Sequence, residues 1–182
     1  KPVRTQIETE AGRLEFQHYF VRDRCEHVVK SIHFVSSSVA YPTHDLLRYL
    51  EDPDLCGIIV CPSNPFLSVD PILSVRGLKE ALIGSKIPIV AISPLINGQA
   101  VKGPTAKIMK ELRLVLSPVS VAAHYKDFIN GFILDETDAG HAAEITKSGI
   151  SVVTAQTLMA SLDDRINLAQ TAVNLCDKLR GH

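Results

Sequence analysis

Cys56-Gly57-Ile58-Ile59-Val60-Cys61 runs directly into Pro62-Ser63-Asn64-Pro65, and the junction of these two stretches decides the fold class. A short, nearly continuous apolar run marks a strand buried on both faces, the habit of parallel sheets covered by helices. The prolines that follow end the strand and stiffen its turn. Ile87 to Ile92 repeats the pattern and stops at Ser93-Pro94; Gly131 to Asp135 and Ile150 to Thr154 supply two more such strands. Helical stretches lie between them. Leu73 to Ile83 turns Leu78, Ala81 and Leu82 inward and stops at Gly84, and Pro104 suits the first turn of a helix running to Leu112. Ser120 to Asn130 and Asp138 to Lys147, the latter ended by Gly149, complete the set. Ser161, with Asp164 three residues on, forms a capping box for a closing helix to Leu179. Strand and helix alternate four times, so the chain is α/β, with a Rossmann-like, three-layer, mostly parallel sheet and right-handed crossovers.

Upstream the pattern is β-rich. Val3 to Thr9, a turn at Glu10-Ala11-Gly12, Arg13 to Val21 and Val28 to Val35 read as hairpin-forming strands. A short helix opening at Thr43 or His44 would place Leu46, Leu47 and Leu50 on one face. The 182 residues contain no repeat or linker, and one domain over residues 1–182 is the simplest organisation. A net charge of −1 gives no general attraction to nucleic acid or anionic membranes. The sequence has no apolar run near the ~18 residues of a membrane span. Its four cysteines form no C-x-x-C pair, which argues against a zinc ribbon or redox dithiol. Four free thiols suit a reducing compartment, and a cytoplasmic location is expected.

Ligands of open parallel sheets bind outside the carboxyl ends of the strands. There the first strand offers Ser63 and Asn64 between prolines, then Ser68-Val69-Asp70-Pro71-Ile72-Leu73. A helix beginning here would present backbone N–H groups to a phosphate; alternatively, Ser63 and Asn64 only cap the turn. The second strand leads through Ser93-Pro94-Leu95-Ile96-Asn97-Gly98 to Val101-Lys102-Gly103-Pro104, where Lys102 adds a cation and Gly103 permits close backbone approach. The loop lacks the Walker A spacing. The third strand ends in Asp135-Glu136-Thr137-Asp138, where Asp135 is a candidate metal ligand and Asp138 a candidate ligand or N-cap. Gln156-Thr157-Leu158-Met159 follows the fourth strand and would line the same edge. The seven histidines do not cluster; His18, His33 and His124 read as packed or surface residues, and no covalent nucleophile stands out.

These residues also carry a resemblance. Pro62-Ser63-Asn64-Pro65 with Ser68 and Pro71-Ile72-Leu73 is similar to the P-S-N-P-x-x-S-x-x-P-I-L signature of the 2-phospho-L-lactate transferase (CofD) family. Agreement continues through Val90 to Pro94, Val101 to Pro104, Val121-Ala122 with Tyr125, Phe132 to Asp135 with Asp138, and Thr157-Leu158-Met159. Pro2 to Thr5 and Phe16 to Val21 also fit. Cys61 and Asp70 stand where the family pattern usually has Gly. The resemblance implies transfer of a phospholactyl or phosphoenolpyruvyl group from a GDP-linked donor to a hydroxy-deazaflavin precursor, with release of GMP and assistance from Mg²⁺. It assigns donor contacts to Ser63, Asn64, Pro65 and Ser68, with Lys102 and Gly103 in support, and it allows a homodimer. It further implies that the chain lacks the family's N-terminal glycine-rich strand and loop, along with much of the acceptor site. The alternative from another class is a CofD-like, nucleotide-sugar-binding regulatory protein; those relatives carry a G-P-G-S-like turn in place of P-S-N-P.

Overall fold

The computed structural model describes residues 2–101 and 103–181. Strands β1 (Arg4–Thr9), β2 (Gly12–Glu15) and β3 (Val29–Val35) form an antiparallel sheet in the order β2-β1-β3. Gly12, at φ +107°, takes the turn conformation that other residues avoid. The second strand is shorter than its apolar pattern predicts. His18–Arg22 instead coils into a wide helical turn that buries Tyr19 completely and lays the ring of Phe16 against that of Phe20, 5.4 Å away. Core burial of one aromatic outweighs the strand preference of the stretch.

Helix α1 (His44–Leu50) is capped by the Thr43 hydroxyl, as expected, but only Leu50 is buried; Leu46 and Leu47 remain exposed. Strand β4 (Ile58–Val60) precedes a wide helical turn, Pro65–Val69, that continues into α2 (Asp70–Leu73). Helix α3 (Leu78–Gly84) is separate, because Gly77 adopts φ +78° and breaks the single helix that the apolar spacing suggested. Then follow β5 (Ile89–Ile92), a hairpin of β6 (Leu95–Ile96) and β7 (Gln99–Ala100), α4 (Thr105–Glu111) and α5 (Pro118–Tyr125). Strand β8 (Gly131–Asp135) feeds a 3₁₀ turn at Glu136–His141 and α6 (Ala142–Thr146). Strand β9 (Ser151–Ala155) leads to the long closing helix α7 (Leu162–Arg180), which carries the predicted Ser161–Asp164 capping box.

Strands β4, β5, β8 and β9 make a parallel sheet in that order, with helices on both faces, so the Rossmann-like α/β expectation holds. Alternation along the strands sets the layers. Ile89, Ala91, Phe132 and Leu134 join a large core with Phe66, Ile108, Val121 and Tyr125, whereas Val90, Ile92 and Ile133 face Leu168, Ala172, Leu175 and Cys176 of α7. The helix lies close because Gly131 has no side chain: a Cβ there would fall 2.9 Å from Leu175. Ile7, Tyr19 and Val29 of the antiparallel region belong to the large core as well. Strand β4 departs from its prediction. It lies at the sheet edge, paired only with β5, and its Ile59 is 38% exposed. No helix among the described residues is long and apolar enough to cross a membrane.

Candidate functional site

At the carboxyl edge of the parallel sheet, residues that follow β4, β5 and β9 line a cavity of about 200 Å³. Pro62 and Asn64 come from the turn after β4, and Ser93 and Pro94 from the end of β5. Ile96, Val101 and Thr105 follow in the segment that includes the hairpin, and Thr157, Leu158 and Met159 come after β9. This is the carboxyl-edge position expected of ligands in open parallel sheets. The volume is below the ~300 Å³ of a typical small-molecule site, so it holds a small group or one part of a larger ligand.

Asn64 has two distinct ends. Its Oδ1 accepts the backbone N–H groups of Phe66 (2.9 Å) and Leu67 (3.0 Å), capping the helical turn that Pro65 begins. The free N–H groups expected there for a phosphate are therefore already used. Its Nδ2 is buried without a partner among the described residues. Toward a ligand Asn64 can only donate, and an unsatisfied buried donor of this kind costs roughly 1–3 kcal/mol until something accepts from it.

Asp135 is 4% exposed and accepts four hydrogen bonds. Thr137 donates its N–H (3.0 Å) and hydroxyl (2.6 Å) to Oδ1, and Thr157 donates its N–H (3.0 Å) and hydroxyl (2.9 Å) to Oδ2. Burial works to raise the carboxyl's pKa, but these bonds to Thr137 and Thr157 outweigh it and hold it below the usual range. The four lone-pair positions of the carboxylate are filled by protein donors, leaving none for a metal. Among the described residues no group of three His, Cys, Asp or Glu side chains could hold an ion. The residues present thus do not fit the Mg²⁺ role expected of Asp135. Asp135, not Asp138, is also the N-cap of the 3₁₀ turn. Asp138, 5% exposed, accepts from the Gly98 N–H through Oδ1, and its Oδ2 is buried without a partner among the described residues.

The remaining candidates divide between two places. Pro65 is buried in the core, directly after Asn64. Ser63 and Ser68 line a different feature, an apolar groove of about 340 Å³ beside β4, walled by Ile58, Val60, Ile72, Leu73 and Phe128. Gly103, at φ +71°, lies in the segment between Val101 and Thr105. Lys102 lies outside the described residues. Thr137 was not singled out by the sequence, and its signal was faint: a hydroxyl two residues past a strand-end carboxylate. His124 was read as a packed or surface residue, yet its Nε2 lies 2.8 Å from Asp70 Oδ1 and its ring lies against Phe66. That pair ties α5 to the segment following the P-S-N-P turn.

Residues 1–170 match the protein-family model described as 2-phospho-L-lactate transferase CofD. The chain belongs to the CofD family. Its CofD relatives include the 2-phospho-L-lactate transferase of Methanosarcina barkeri (strain Fusaro / DSM 804), 35% identical over 178 residues, which are 98% of this chain and 56% of that protein. The 2-phospho-L-lactate transferase of Methanocaldococcus jannaschii is 30% identical over 174 residues, covering 96% and 54% of the two chains. A phosphoenolpyruvate transferase of Streptomyces griseus subsp. griseus is 28% identical over 179 residues, covering 98% and 56%. The chain spans just over half the length of these curated relatives.

Proposed function

We propose that this chain is the donor-binding part of a transferase that moves a phospholactyl or phosphoenolpyruvyl group from a GDP-linked donor to a hydroxy-deazaflavin precursor, releasing GMP. The observation that carries the reading is the cavity at the sheet's carboxyl edge, which the family-signature Asn64 lines while its Nδ2 has no partner among the described residues. Asn64 supplies a donor, Thr157 an acceptor, and Ile96, Val101, Leu158 and Met159 an apolar wall. Such a wall with a few fixed polar groups suits a heteroaromatic base, whose ring buries apolar area while its edge is read by hydrogen bonds. The chain's own contribution to transfer is orientation: a donor held rigidly presents its diphosphate to the acceptor with part of the entropy cost already met. The cytoplasm, where nucleotide and deazaflavin precursor meet, is the proposed location.

Calorimetric titration of the 182-residue protein with GDP, and with ADP as control, tests the donor half. Saturable binding of GDP in preference to ADP is expected. Incubation of the full-length protein with guanylylated donor and deazaflavin acceptor, read as GMP release, tests the transfer. Tight binding of a nucleotide sugar with neither GDP binding nor GMP release would replace this reading with the regulatory one.

A further inference from the structure

We propose that Asp135 is a positioning residue that fixes both walls of the cavity and restricts what Thr157 can recognise, a reading that rests on the assignment of this cavity to the donor. One arm runs to the hairpin. Asn97 donates its N–H to Thr137 Oγ1 (2.9 Å), and the Thr137 hydroxyl donates onward to Asp135 Oδ1 (2.6 Å). Beside it Gly98 donates its N–H to Asp138 Oδ1 (2.8 Å). Asn97 and Gly98 have φ of +52° and +65°, the two positive angles of a tight I′ hairpin turn, and this turn joins Ile96 on β6 to β7 and the Val101 segment. The other arm runs to the opposite wall: Thr157 donates both its groups to Asp135 Oδ2 and leads into Leu158 and Met159.

Ordinary capping accounts for one of these bonds, the one from the Thr137 N–H. Thr157 lies 22 residues from Asp135, and Asn97 lies 40 residues from Thr137, so the others join separate parts of the chain. An ionised carboxylate only accepts, so both threonine hydroxyls must turn their protons toward it. Thr137 is left with lone pairs for the Asn97 N–H. Thr157 is left as an acceptor, so the ligand edge that meets it carries an N–H or O–H, while the edge that meets Asn64 carries an acceptor.

Thr137→Val removes the hydroxyl at nearly constant shape, and Thr137→Ser restores it. Amide hydrogen exchange and GDP titration of wild type and both variants test the wiring. Expected in Thr137→Val are exchange at Asn97 faster by about fivefold or more, unchanged exchange in β8 and β9, and GDP affinity weaker by about fivefold, the scale of one neutral hydrogen bond. Thr137→Ser should return both to within about twofold of wild type. Unchanged exchange at Asn97 in Thr137→Val overturns the proposal, as does GDP binding of wild-type strength in that variant. A wild-type protein that does not bind GDP defeats the donor assignment instead, and the exchange measurement still decides whether Asp135 holds the hairpin through Thr137.

Discussion

Asp135 shows how a single carboxylate changes meaning with its surroundings. Its place at the end of a strand made it a candidate metal ligand, a sound inference from one position. What the sequence could not display was that Thr157, 22 residues later, returns to the same carboxylate. Asn64 was more legible, because a carboxamide between two prolines at a strand end is a natural cap, and the structure uses it as one with its buried donor left over. Asp135→Ala would strand two N–H groups and two hydroxyls, and about 3 kcal/mol of lost stability is expected at neutral pH. The pH dependence has a definite sign. Because the folded carboxyl is held below its unfolded value of about 3.9, its contribution is complete above that value and fades as pH falls through the lower, folded one. Urea unfolding of wild type and variant should therefore differ in full at pH 7, and the difference should begin to shrink only as pH falls below about 4.

At the scale of elements, the sequence was clearest where a local chemical rule acts alone. Ser161 and Asp164 bind each other's backbone reciprocally at 3.1 and 2.7 Å, so the start of α7 could be read from two residues. Ser161→Ala should cost about 1 kcal/mol, seen as a lowered thermal midpoint with nucleotide binding unchanged. Legibility failed where a distant contact or one backbone angle decides. The apolar spacing of residues 73–83 continues through Gly77, but α2 stops at Leu73 and the left-handed Gly77 stands at the N-cap of a separate α3. Phe16 to Val21 looks extended until Tyr19 is drawn into the core, beneath Lys107. The apolar run of β4 promised burial on two faces, yet periodicity does not distinguish a central strand from an edge strand.

At the scale of the molecule, the antiparallel β1–β3 sheet and the parallel sheet with its helices are joined by packing and by a few polar bonds. Glu111 on α4 accepts the N–H of Val29 at 2.9 Å, and Lys107 donates to the carbonyl of His27 at 2.6 Å while pairing with Glu111. Neither link could be anticipated, since each spans about 80 residues of chain. The order of strands places β4 at an edge of its sheet and leaves Ile59 and the groove beside it partly in solvent. Cys56 and Cys61 flank that edge strand, both exposed, whereas Cys176 is buried on the sheet-facing side of α7 and burial pushes its thiol pKa up. The edge therefore carries its own chemical reporters. Alkylation followed by mass mapping should mark Cys56 and Cys61 well before Cys176, and any polypeptide that extends the sheet beyond β4 would register as a slowing of those two reactions alone.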